Sequence, residues 1–425
     1  MIFRRIVFTI ILFFLASCAE VPLPGITPTP EDTSTPTSTA LPTMEPSPTP
    51  SGPSTLRIWL PPQLDPASGT AAGDILQARL DEFIDRRPDT RLEVRVKTLD
   101  GPGGILDTLS TASAAAPLAL PDLVALPRPS LETAALKGLL HPFDDLTQAM
   151  DDPDWYDYAR KMARLQDSTF GLPFAGDALF MVYRTSTISE PPREFSTTLA
   201  TMGPLAFPAA DPQALVTLTL YQSAGGAILD EQGRPFLDTG PLNEVLTLYN
   251  DGATNELLPL WLTQLETDEE VWEAYLENRA EMALSWTSTH LQKNAPETLG
   301  SHIPTLDGSP YTLANGWLWA LAGANPEHQS LSAELAEFLT DNTFLAEWNS
   351  ALGYLPPRPS SLPDWRPISM RPLVNQISVT ADLIPPTDVL NSLGPALQSA
   401  TVEVLKLQID PLTAAEMAVD SLSEP

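Results

Sequence analysis

A single cysteine in 425 residues leaves nothing for a disulfide framework or a cysteine-based zinc site. Basic residues are also scarce: 23 Lys and Arg stand against 54 Asp and Glu, a formal charge of −31 with histidine neutral. Phosphate backbones demand a positive surface that displaces counterions, so DNA and RNA are excluded as partners. The four histidines, His141, His290, His302 and His328, form no i, i+4 pair, and no metal site is expected. The motifs G-x-S-x-G, G-x-G-x-x-G, H-E-x-x-H and the P-loop lysine are all missing, so neither an enzyme nor a bound cofactor is expected. Acid pairs such as Asp144-Asp145 and Glu269-Glu270 follow from the abundance of acids, and Asp144 or Asp145 is expected to cap a helix after Pro142. Gly101-Pro102-Gly103-Gly104 reads as a turn.

The apolar run Ile6 to Ala16 is shorter than the roughly 20 residues that cross a bilayer. It follows Arg4-Arg5, as the core of a secretion signal does, and it ends in Leu15-Ala16-Ser17-Cys18, which resembles the bacterial lipobox. Residues 1–17 are expected to be removed and Cys18 to be acylated, which would hold the chain to the extracytoplasmic side of the cell membrane, at the cell surface or in a periplasm. From Pro22 to Pro53 there are 10 prolines, 12 Ser or Thr and no aromatic residue, so no core forms there. Residues 18–54 are expected to be an extended tether.

The folded part begins near Thr55. Leu56 to Leu60 reads as a buried strand, and a helix from Asp74 puts Leu76, Leu80 and Phe83 on one face before Pro88. Leu92, Val94 and Val96 alternate with charged residues in a second strand, Ile105 to Ala115 is helical, and Pro121 to Leu126 is a short buried strand. Strands alternating with helices argue for a parallel sheet covered on both faces, with ligands beyond the carboxyl ends of the strands. Helix-spaced apolar residues recur over 215–223, 242–249, 271–276, 389–407 and 414–422.

The order and spacing of these segments resemble the extracellular solute-binding proteins of ABC importers, in family 1, which includes the maltose-binding protein. The resemblance rests on Pro121-Asp122-Leu123-Val124, on Lys137 to Leu146 and on Phe170-Gly171-Leu172-Pro173-Phe174. It continues in Glu281-Met282-Ala283-Leu284, Gly316 to Leu321, and Leu352 to Arg358. It implies an α/β, two-lobed periplasmic-binding-protein-like fold of type II, each lobe a sheet flanked by helices, joined by crossover hinges and closing like a jaw. Carried onto this chain, the crossovers fall near 173–178, 313–317 and 353–357. The N-terminal lobe is then 55–177 with 314–352, and the C-terminal lobe 178–313 with 354–425.

Aromatic residues at the expected strand ends and crossovers are the candidate ligand contacts: Trp59, Phe174, Trp286, Trp317 and Tyr354. Aromatic rings stack on the C–H faces of sugars, while Asp, Arg or Gln bond the hydroxyls. Asp177 occupies a position where the maltose-type family often has a sugar-binding acid, and Arg128 and Gln63 are candidate donors. At the first loop Pro61-Pro62 replaces the family's polar turn. The resemblance implies a monomer that captures a small solute, a carbohydrate first among candidates, and delivers it to a permease. A solute sensor or adhesion module, a polysaccharide-acting enzyme, and a cationic ligand such as a polyamine are the competing readings.

Overall fold

The computed structural model describes residues 54–199, 203–323 and 325–423; the expected secretion signal, Cys18 and the expected tether up to residue 53 lie outside the described residues. Strand β1 (Ser54–Leu60) leads to α1 (Ala71–Arg86). The Thr70 side chain accepts the Gly73 N–H at 3.1 Å, which satisfies one of the orphan donors of the first turn. Leu76, Leu80 and Phe83 recur at helical spacing and are buried at 1–3% exposure, each worth about 1.5–3 kcal/mol. Strand β2 (Thr90–Val96), α2 (Ile105–Ala115), β3 (Leu123–Pro127) and α3 (Arg128–Leu136) complete a β-α-β-α-β-α unit. Both β2 and β3 run parallel to β1.

After α4 (Asp157–Ala163), the two-residue strands β4 (Arg164–Leu165) and β5 (Ser168–Thr169) form a small hairpin, and β6 (Leu172–Arg184) follows. No helix follows Pro142; Asp144 instead sits in a turn and accepts the Thr169 N–H at 3.2 Å. The acid is used to fasten that hairpin, a partner 25 residues away that local spacing does not reveal.

The next stretch contains α5 (Phe195–Thr198), β7 (Leu205–Ala206), α6 (Leu215–Ser223), α7 (Thr239–Thr254) and α8 (Asp268–Leu276). It ends with β8 (Met282–Trp286), α9 (Thr287–Lys293) and β9 (Thr298–Ser301). A capping box between Thr267 and Glu270 starts α8. The chain then returns through β10 (Thr312–Leu321), α10 (Pro326–Phe338) and α11 (Asn342–Leu352), and ends with α12 (Arg371–Thr380), β11 (Ala381–Leu383), α13 (Thr387–Leu405) and α14 (Pro411–Ser423).

The sheet order is β2-β1-β3-β10-β6-β8-β7, with β11 beside β10 and β9 beside β6. It is mixed rather than wholly parallel, because β10, from far along the chain, runs antiparallel to both β3 and β6. The long strand β6 is shared: Leu172 to Ala178 pairs with β10, and Leu179 to Arg184 pairs with β8 and β9. Beside it, Gly176 and Leu355 exchange backbone hydrogen bonds of 2.7 and 2.8 Å. A side chain at Gly176 would overlap the Tyr158 hydroxyl, so only glycine lets the three segments meet there. Gly353 ends α11 in the left-handed region at φ 73°, and a side chain there would meet Gln292. Arg358, five residues on, bonds Asp152 at 2.7 Å and Asp154 at 3.0 Å.

Candidate functional site

Two of the expected aromatic contacts are core residues. Phe174 has no exposure, and its ring lies 4.7 Å from that of Trp319 and 5.1 Å from that of Trp348. Trp59 is 2% exposed, with the Lys97 ammonium 4.7 Å from its ring centre. Both are enclosed, Phe174 beneath α11 and the sheet, and neither offers a face to a ligand. Gln63 is exposed on the turn after β1 and lines no part of the cavity described below.

Asp177, Trp317 and Tyr354 do come together, around the shared strand. The Asp177 carboxylate accepts four hydrogen bonds: from Thr287 Oγ1 at 2.6 Å, Ser288 Oγ at 2.5 Å, and the N–H groups of Ser288 and Ala178 at 3.0 Å. Three of these come from the first turn of α9, whose orphan N–H groups and dipole favour an anion. Burial nevertheless pushes the Asp177 pKa up to about 6, outweighing the hydrogen bonds from Ser288 and Thr287, and the Asp268 charge adds to the rise. Burial also raises the pKa of Tyr354, with the Asp177 charge next; hydrogen bonds with Trp317 and Gln292 act the other way. Trp317 itself is 8% exposed.

Arg128 and Trp286 line a second, adjoining feature, a cavity of about 190 Å³. Arg128 opens α3 just past the carboxyl end of β3, and Trp286 ends β8 just before α9. Both residues thus sit at strand-to-helix junctions, where open α/β sheets bind ligands. Asn315 joins them from β10, and it stands opposite Asp177 in the β6–β10 ladder. The junction at Trp286 is held by Asp268, which accepts the Trp286 N–H at 3.2 Å and the Thr289 hydroxyl at 2.6 Å.

The Arg128 guanidinium is buried, and only its Nη2 is bonded, to the Arg164 carbonyl at 3.1 Å. Its Nε and Nη1 have no partner. Burial lowers the Arg128 pKa, and the charge of Glu132 opposes the fall. Glu132, one turn further along α3, lines the same cavity at 6% exposure. The sequence reading passed over Glu132, although its i, i+4 spacing from Arg128 places both on one helix face. Gln213 and Thr387 supply further polar wall, and Pro129, Ile384 and Leu390 supply apolar wall. Such a lining bonds hydroxyls and covers a C–H surface. Among the described residues no cluster of three His, Cys, Asp or Glu could hold a metal ion.

The family profile of the bacterial extracellular solute-binding proteins matches residues 80–372. The chain belongs to this family. Members act outside the cytoplasm and are binding proteins rather than enzymes. Solved structures share the two-lobed fold of this solute-binding protein at low identity. The cyclic α-maltosyl-1,6-maltose binding protein of Arthrobacter globiformis is 15% identical, with 87% of this chain and 98% of that chain covered at a TM-score of 0.71. The sugar-binding protein MalE of Xanthomonas citri is 17% identical, covering 87% and 97% at a TM-score of 0.70. A solute-binding protein of Thermotoga lettingae, solved with α-D-tagatose, is 17% identical, covering 87% and 98% at a TM-score of 0.63. No curated protein is similar enough in sequence to serve as a relative.

Proposed function

We propose that this solute-binding protein captures a carbohydrate in the cavity between its two halves and delivers it, chemically unchanged, to the permease of an ABC importer. The observation that carries the reading is the cavity itself, with Arg128 from one strand-to-helix junction, Trp286 from the other and Asn315 from a strand between them. Sugar ligands named for three neighbours of the same fold support it.

In this reading the N-terminal lobe is 55–177 with 314–352 and the C-terminal lobe is 178–313 with 354–425. The crossings at 173–178, 313–317 and 353–357 are the hinge. Trp286 stacks on the sugar, Arg128 donates to its oxygens, and Trp317 and Tyr354 flank the hinge beside the cavity. Acylated Cys18 holds the monomer to the membrane, and residues 18–54 set its reach.

A thermal-shift screen of the full chain in detergent, against mono- and oligosaccharides, amino acids, polyamines and phosphate esters, tests this. A ligand that binds only the folded state raises Tm, by an amount equivalent to about 2.7 kcal/mol at a hundred times Kd. A sugar is expected to give the shift; a shift from polyamines alone would overturn the carbohydrate reading.

A further inference from the structure

Arg128 and Glu132 are the two charged side chains lining the cavity, both more than nine-tenths buried. The Glu132 charge acts on Arg128, but no hydrogen bond joins the two, and the guanidinium Nε and Nη1 stay without an acceptor. A guanidinium with two buried N–H groups is costly, since those groups have lost water without gaining a hydrogen-bond acceptor. The cost is removed if a ligand supplies both a donor and an acceptor. A hydroxyl is both, so neighbouring hydroxyls on one ring give to Glu132 and accept from Arg128 together. The free Nε and Nη1 do not lie on one edge of the guanidinium, which suits separate hydroxyl oxygens better than a single bidentate anion.

Resting on the carbohydrate reading above, we propose that the ligand is an uncharged sugar of one ring, gripped by Arg128 and Glu132 through adjacent hydroxyls. Size sets the ring count: about 190 Å³ lies below the roughly 300–1,000 Å³ of sites for drug-sized ligands. Charge sets the neutrality: an anion would face Glu132 at close range, and a cation would face Arg128. Pro129, Trp286, Ile384 and Leu390 form an apolar part of the wall that suits the C–H face of a pyranose or furanose, while Asn315, Gln213 and Thr387 offer further polar groups. An amino-acid zwitterion also matches two opposite charges, and it is set against the sugars in the test.

The test is titration calorimetry of the full chain in detergent with D-glucose, D-galactose, D-xylose and D-tagatose, against maltose, maltotriose and L-glutamine. Parent, Glu132→Gln and Glu132→Asp are compared, with circular dichroism and Tm reporting folding. A monosaccharide is expected to bind the parent, Glu132→Gln to weaken it by tenfold or more, and Glu132→Asp to recover part of the loss. If Glu132→Gln fails to fold, Glu132→Asp alone must still weaken the monosaccharide. Equal binding by folded Glu132→Gln, or binding of maltose and maltotriose without any monosaccharide, would overturn the proposal and leave the carbohydrate reading standing. Binding of L-glutamine alone, or of no probe, would overturn both.

Discussion

The Asp177 carboxylate takes both the backbone N–H of Ser288, at 3.0 Å, and its hydroxyl, at 2.5 Å. An acid expected to meet the ligand is therefore occupied in capping α9, the helix that follows Trp286. Asp177 is the clasp between the shared strand and one wall of the cavity.

That clasp has a pH signature. Asp177 is raised from the usual 3.8 to about 6 in the folded chain, chiefly by burial, with Asp268 adding to the rise; Tyr158 and Tyr354 also face it. Between about pH 4 and 6 the folded chain holds a proton that the unfolded chain has released, so stability from this group falls as pH rises through that window. The loss is on the order of 3 kcal/mol, at about 1.4 kcal/mol for each pKa unit. Asp177→Asn removes the titration. Melting curves from pH 4 to 7 should show the parent losing stability relative to Asp177→Asn as pH rises; parallel curves would contradict it.

Core and wall aromatics separate by what their loss changes. Phe174→Ala should cost about 3–5 kcal/mol of folding stability, because its ring fills the space between Trp319 and Trp348. Half-buried Trp286→Ala should lower affinity for the captured sugar by about 1–3 kcal/mol while leaving most of the stability intact. Denaturant titration and calorimetry on the two variants read the difference. A reversal, with Phe174 governing affinity and Trp286 stability, would mean the cavity is not the site.

The periodic elements were legible without coordinates. The helix at 105–115 and the strands at 54–60 and 90–96 follow from apolar spacing, because one buried face imposes its period on the sequence. The mixed sheet was not, since β10 joins β3 across 190 to 198 residues and leaves no local trace. Nor was the fate of Trp59 and Phe174. Whether a ring at a strand end meets a ligand or the core depends on a distant cover, here Trp348 and α11 for Phe174. Glu132 carried a signal in its spacing from Arg128, but a glutamate on an exposed-looking helix attracts no notice until its burial is known.

The anchor is tested in cells. Cys18→Ser should move the protein from the membrane fraction to the soluble fraction or leave the signal uncleaved, as immunoblots of fractionated cells would show. Unchanged membrane retention with full processing would remove Cys18 from the account.

Salt tests the central claim, capture of a carbohydrate rather than of a cation drawn to a chain of charge −31, most directly. Calorimetric titration of the tightest-binding solute at about 0.01 M and about 1 M salt spans Debye lengths of roughly 30 Å and 3 Å. The account predicts the same Kd within about twofold at both, because hydrogen bonding and stacking of a neutral sugar are not screened. A Kd that weakens tenfold or more between the two would contradict it, placing the ligand among cations held by the acidic surface.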